Sequence, residues 1–288
     1  MTLSQILVLA VIQGAAELLP VSSSAHVIVA EKLMGLDPTT PEMTLLLVML
    51  HTGTMFAVIF FFWKSWKESF FSSKKVFWDS VKFIVSATLL TGIVGLSLKF
   101  LIERFFMRDL PHAEIEQLFG NMNLISVSLA AVGLLILFAG VKNRTSSRKD
   151  CDLGLKESCY VGLVQGFCLP FRGFSRSGAT ISTGLLLGIP RRKIEEFSFA
   201  LAVVLTPPII VREAMRLLKE QHASSSSMVG MAHLFMPSLL GMALSFIAGL
   251  LALKWLSDWL ERGLWPLFGL YCLGVSVIVI VFHQSGLI

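Results

Sequence analysis

Between Gln13 and His26 the chain reads QGAAELLPVSSSAH, placing a carboxylate, an imidazole and three successive hydroxyls inside an otherwise apolar run from Leu3 to Val29. Such groups are costly to bury unless they are paired or put to use. Gln13 and Glu17 are four apart, so a helix carries both on one face. Pro20 predicts the end of that helix, because the residue before a proline resists the helical region. Ser22, Ser23 and Ser24 then form an irregular loop, and His26 opens a second helix. His26 follows Ser23 closely enough for a nucleophile and a base to meet on one helical turn. A broken helix with polar groups at its break is how membrane proteins build a site in mid-bilayer.

A second polar stretch, Ser175-Arg176-Ser177-Gly178-Ala179-Thr180, interrupts another apolar run. An arginine on a Gly/Ser loop suits an oxyanion: its planar fork offers paired donors to phosphate, and exposed backbone N–H groups add more. The blander alternative is that Arg176 only neutralises Glu17, but an ion pair buried for structure alone is a poor source of stability. Glu17 is suited to act as a general base or a metal ligand. Of the other histidines, His51 lies in an apolar span and can approach this centre. His112, His222, His233 and His283 fall at loops or span ends. A carboxylate, a histidine, hydroxyls and an arginine in a dry cavity suit hydrolysis of a phosphoanhydride. Arginine and a divalent cation would neutralise the phosphate charge, serine or water would attack in line, and Glu and His would move protons. A site inside the membrane implies a lipid-borne substrate.

The elements that must position these residues are membrane helices. The 288 residues are 55% hydrophobic and only 15% charged, with several apolar runs long enough to cross a bilayer. The net charge of +5 reads as cytoplasmic loop charge, not a nucleic-acid footprint, because the basic residues cluster between apolar runs. No cleavable signal peptide is evident. Cys151, Cys159, Cys168 and Cys272 show no metal-ligand spacing and read as small apolar fillers. Apolar runs are expected near 43–63, 76–102, 122–141, 194–217, 231–256 and 264–282. One interrupted stretch precedes each set of three, the first at 3–30 and the second at 160–188. Pro170, Pro207 and Pro208 read as helix breaks or kinks.

The interrupted stretches are related. Ser22–Gly35 laid over Ser175–Gly188, a shift of 153 (175 − 22), matches at Ser22/Ser175, Ser24/Ser177, Ile28/Ile181, Leu33/Leu186 and Gly35/Gly188. The same shift carries run 43–63 onto 196–216, and Gln13-Gly14 is echoed by Gln165-Gly166. This predicts a duplication, with a first repeat over 1–142 and a second over 158–288. Basic loops at 64–77, 142–157 and 191–193 belong to the cytoplasm, and the acidic segments 29–42 and 102–120 to the other side. The spans alternate correctly only if each interrupted stretch dips into the membrane and returns, one from each face. Each repeat then crosses three times and the second is inverted. The predicted fold is an all-α polytopic membrane protein: about six transmembrane helices plus two re-entrant helical hairpins whose tips meet near the midplane.

At these residues the sequence resembles the undecaprenyl pyrophosphate phosphatase, or bacitracin-resistance, family. The family pattern [E/Q]-x-x-x-E then P-x-S-S-x-x-H appears as Gln13 to Glu17 and Pro20 to His26. P-G-x-S-R-S-G-x-T matches from Gly173 to Thr180. The resemblance implies removal of the terminal phosphate of undecaprenyl (C55 isoprenyl) diphosphate, recycling the cell-wall lipid carrier. It also implies a Mg²⁺ or Ca²⁺ requirement, a multi-pass protein of the bacterial inner membrane with its site facing the periplasm, and a homodimer. By position, Glu17, Ser23, His26 and Arg176 would be catalytic, with Glu17 also the metal ligand. Gln13, Ser22, Ser24, Ser175, Ser177, Gly178 and Thr180 would bind substrate. Two departures stand out: the first motif position is Gln13, not Glu, and the proline usually preceding the glycine of the second motif is replaced by Arg172. The rival class is an inverted-repeat transporter or flippase of a polyprenyl phosphate, which would need Glu17 and Arg176 but no nucleophile. An intramembrane serine protease leaves Arg176 unexplained, and the type 2 phosphatidic acid phosphatases need a later His…Asp motif that is missing from this sequence.

Overall fold

Two kinds of local signal punctuate the chain: hydroxyls that start short helices and glycines that stop them. In a computed structural model, which describes residues 2–37, 40–105, 118, 120–145, 152–223 and 228–287, helix α1 (Leu3–Leu18) begins at a Thr2/Gln5 capping box and ends two residues before Pro20. Helix α2 (Ser23–Leu33) starts after Ser22. Helices α3 (Pro41–Phe70), α4 (Lys74–Phe105) and α5 (Met122–Thr145) follow. The order then recurs: short α6 (Leu155–Cys168) and α7 (Arg176–Leu187), then long α8 (Arg191–Ala223), α9 (Met228–Glu261) and α10 (Trp265–Gln284). The aligned positions fall at the same helix ends in both halves, although only Ser175 caps its helix through its side chain. Ser22 and Ser175 are N-caps; Gly35 and Gly188 lie just past their helices at φ +63° and +86°, a left-handed turn that glycine adopts without steric cost.

Among the described residues, five helices are long and apolar enough to cross a membrane: α3, α4, α5, α9 and α10. The sixth expected span, α8, has 33 residues, but its uncharged stretch runs only from Phe197 to Val211, between Glu196 and Arg212. Of the break or kink expected at Pro207 and Pro208, the break does not occur; the helix continues through both. Each proline forgoes one ladder hydrogen bond, and both lie on an exposed part of the helix. Pro170 does follow a helix end, that of α6.

The halves pack crosswise. Short helix α1 lies on α9, and α6 lies on α4. A Cβ on Gly14 would come 2.7 Å from Ser245 O, and one on Gly166 would come 2.8 Å from Thr91 O. Both Gln-Gly pairs therefore press a glycine onto the backbone of a long helix in the other half. Helices α5 and α10 meet through reciprocal bonds: Ser126 Oγ donates to Ser276 O (2.8 Å) and Ser276 Oγ to Ser126 O (2.9 Å). A large apolar core including Phe62, Trp66, Phe199, Leu253 and Trp265 closes one end. At that rim, Ser65 donates to Glu196, Ser257 Oγ to Glu195 Oε1 (2.5 Å) and Lys193 to Asp152 (2.7 Å). The Lys193 hydrogen bond holds the Asp152 carboxyl below the usual carboxylate range. Cys159, Cys168 and Cys272 are free thiols, as filler cysteines should be; Cys151 lies outside the described residues.

These contacts predict opposite outcomes for two glycines. Gly166→Val overpacks the α6–α4 contact and should cost about 1–3 kcal/mol, lowering the unfolding midpoint in detergent measured by scanning fluorimetry. Gly92 on α4 has open space around it, so Gly92→Ala should leave the midpoint unchanged or raise it by the ~0.5–1 kcal/mol that a mid-helix glycine costs.

Candidate active site

The tips of the two short-helix pairs touch. Ser177 Oγ donates to Leu19 O (3.3 Å), Gly173 N to Ser24 Oγ (3.4 Å) and Cys272 Sγ to Pro20 O (3.4 Å). Glu17 is the junction. Its Oε1 accepts from Arg176 Nη2 at 2.9 Å, and its Oε2 accepts from Ser23 Oγ at 2.5 Å and Gln13 Nε2 at 3.2 Å. Side-chain exposures of 16% for Glu17 and 23% for Arg176 leave the pair partly open to an incoming group. Gln13 also reaches His51 Nδ1 (2.9 Å), which lies 3.8 Å from Glu17 Oε2. The amide N–H of Gln13 donates, so this ring nitrogen is the acceptor.

The expected Ser23–His26 pair does not form. Ser23 gives its hydroxyl to Glu17, because the break at Pro20 folds α2 back over the end of α1. His26 turns the other way: Nδ1–H donates to Ser22 O (2.8 Å), which leaves Nε2 to accept from the Tyr271 hydroxyl (2.8 Å). The two rings stack at 5.7 Å and 9°. Ser22 needs such a brace, since its φ of +68° is a positive-φ conformation normally left to glycine. His26 thus fixes the turn that presents Ser23.

Several residues of the second loop spend their polar atoms on the loop itself. Ser175 Oγ accepts from Gly178 N (3.2 Å), and Thr180 Oγ1 bonds Arg176 O (2.9 Å) and Ser198 Oγ (2.6 Å). Ser175, Ser177 and Thr180 are all buried, as is Ser22. Their placement orients Arg176 at the start of α7, aimed at Glu17. Two participants were not assigned a role from the sequence. His51 sits in a span whose apolar pattern hides which face it takes. Tyr271, one of only two tyrosines, carries no signal within the apolar run of α10. His283 ends α10, away from this junction, while His112 and the side chains of His222 and His233 lie outside the described residues.

Among the described residues, no group of three or more His, Cys, Asp or Glu side chains gathers to hold a metal ion. Both oxygens of Glu17 are already engaged. Among the described residues this donor set does not make an all-protein metal cage, and Glu17 would be the carboxylate at the junction to hold an ion.

A family model described as bacitracin resistance protein BacA matches residues 6–278. The chain belongs to the BacA family. It is 56% identical over 281 residues to undecaprenyl-diphosphatase 2 of Acinetobacter baylyi, covering 97% of this chain and 98% of that one. It is 32% identical to undecaprenyl-diphosphatase 2 of Burkholderia thailandensis, covering 94% of each, and 30% identical to undecaprenyl-diphosphatase of Fusobacterium nucleatum, covering 96% and 98%. In this BacA-family chain the two motifs that carry the resemblance are the two tips in contact at Glu17.

A partly buried ion pair is destabilising to break from one side only. Arg176→Met alone should lower stability by up to about 3–5 kcal/mol, whereas Glu17→Gln/Arg176→Met should recover most of that loss. Chemical unfolding of the two variants beside the parent protein measures both effects.

Proposed function

We propose that this chain hydrolyses undecaprenyl diphosphate to the monophosphate and inorganic phosphate, with Ser23 as nucleophile and Glu17 as its base. The observation that carries the reading is the Ser23 Oγ–Glu17 Oε2 bond of 2.5 Å, with Arg176 on the other carboxylate oxygen. Such a pair activates a hydroxyl that is otherwise a weak nucleophile. The arginine fork stands where the charge of a terminal phosphate would be met.

In the first step Ser23 Oγ bonds to the terminal phosphorus while Glu17 takes its proton. The bridging P–O bond breaks and its electron pair leaves with the lipid monophosphate. In the second step a water oxygen bonds to the phosphorus of phosphoserine, the P–Oγ bond breaks, and Glu17 returns its proton to Ser23 Oγ, releasing dihydrogen phosphate. Arg176 binds the phosphoryl oxygens and orients Glu17. His26 and Tyr271 hold the Ser22 turn in position. A divalent cation held by Glu17 and the substrate would neutralise phosphate charge.

The reading places the chain in the bacterial inner membrane with its site open to the periplasm and basic loops in the cytoplasm. It takes 1–142 and 158–288 as inverted repeats, supported by the crosswise packing of α1 on α9 and α6 on α4. It includes a homodimer, for which the exposed stripe Leu89, Ile93, Leu96 and Phe100 of α4 is the natural seat. Broken helices in inverted halves also suit a flippase, but a serine hydrogen-bonded to a carboxylate has work in hydrolysis and none in transport.

Purified protein should release phosphate from a prenyl diphosphate, and EDTA should reduce the rate. Arg176→Lys, which loses the bidentate fork, should lose about 10²–10³-fold. His26→Asn, whose amide can replace the Nδ1 donor to Ser22 O, should keep at least about tenfold more activity than His26→Ala. Well-folded protein without phosphate release on any prenyl diphosphate, metal present, would overturn the assignment and favour the flippase.

A further inference from the structure

The reaction above uses one arginine, yet the loop that carries it holds a second. Arg172 stands where the family pattern has proline, and Gln13 stands at a position that also admits glutamate. Relative to a chain with Glu and Pro at these two positions, this site carries one negative charge fewer and one positive charge more.

The position of Arg172 is fixed by its neighbour. Gly173, at φ +95°, donates its N–H to Ser24 Oγ and is pressed against the α5 backbone at Ile125, so Arg172 is anchored beside the start of α2. Glu31 follows Ser24 by seven residues, which returns it to the same helix face about 10 Å further along. The charge of Arg172 is felt by Glu31 at that far point and by His51 at the junction. Arg172 thus stands beside the Ser22–Ser24 turn that presents Ser23, on the face of α2 that Ser24 shares with Glu31. Glu31 itself is 3% exposed, and its Oε1 is buried without a hydrogen-bond partner. A buried carboxylate oxygen in that condition is costly. It is explained if Glu31 serves as the counter-charge of a mobile arginine head that leaves it when substrate arrives.

We propose that Arg172 is a second phosphate-binding arginine, balanced by Glu31 between turnovers, and that it supplies part of the charge neutralisation otherwise left to a divalent cation. The inference rests on the phosphatase reading and extends it. Arg176 meets the terminal phosphate at Glu17, and Arg172, from the other side of the loop, meets the phosphate that stays with the lipid. Glu31 is a positioning residue: it never touches substrate.

The test is equilibrium binding of a non-hydrolysable prenyl methylenediphosphonate to the purified full-length protein, by calorimetry, in EDTA and again in Mg²⁺. The parent protein should bind in EDTA. Arg172→Pro and Arg172→Gln should weaken binding in EDTA by at least about tenfold, with Mg²⁺ restoring most of the loss; the Gln variant covers a folding defect from proline. Arg172→Lys should fall between, because it keeps the charge and loses the fork. Glu31→Gln should bind as tightly as the parent or tighter in EDTA, whereas a merely structural glutamate would lose stability and leave the metal dependence unmoved. Equal binding by the parent and both Arg172 variants in EDTA would overturn the proposal while leaving the phosphatase intact. No diphosphonate binding by the parent in either buffer, together with no phosphate release, would instead overturn the phosphatase reading.

Discussion

One carboxylate holds this structure's purpose together. Glu17 is contributed by α1, yet its two oxygens are claimed by opposite sides of the molecule: Oε1 by Arg176 at the start of α7, Oε2 by Ser23 at the start of α2. In a low-dielectric setting none of these three groups is cheap to bury alone, and together they satisfy one another. The same contact docks the two broken-helix tips and puts a hydroxyl beside a base. Stability and chemistry share a single interaction, so the residues that align the tips cannot be separated from those that react.

Irregular backbone at membrane depth is tolerated only where protein covers it or water reaches it. Here the tips cover each other. Leu19 O and Pro20 O, freed by the end of α1, are taken by Ser177 Oγ and Cys272 Sγ. The loop before α7 is closed by Ser175 and by Thr180 with Ser198. The hydroxyls that the motif displays are therefore largely the scaffold of Arg176, and Ser23 Oγ and the Arg176 fork are the groups aimed at Glu17. That economy lets a small polar centre sit among apolar helices, with no cluster of three or more metal-ligating side chains among the described residues.

Much of this was legible in the sequence because span length follows from bilayer thickness and the break at Pro20 from covalent geometry. The shift of 153 also aligned caps, Ser22 with Ser175 and Gly35 with Gly188, since cap chemistry is local. Contacts that depend on helix rotation were not legible. Helical spacing suggested Ser23 with His26, but Ser23 found Glu17 six residues back across the break, a distance that no helix period relates. Tyr271 and His51 come from distant spans, and an apolar run does not reveal which of its faces turns inward. The prolines of α8 show the limit of local preference: the helix runs through both although each lacks a backbone donor.

The central claim is that Glu17 exists to activate Ser23. Mixing the protein with a prenyl diphosphate labelled in its terminal phosphate, quenching in acid within the first turnover and mapping the label by mass spectrometry tests it directly. The account predicts phosphoserine at Ser23, formed before free phosphate and lost in Glu17→Gln. Free phosphate appearing at full rate with no labelled protein, and persisting in Ser23→Ala, would contradict it and make water the nucleophile.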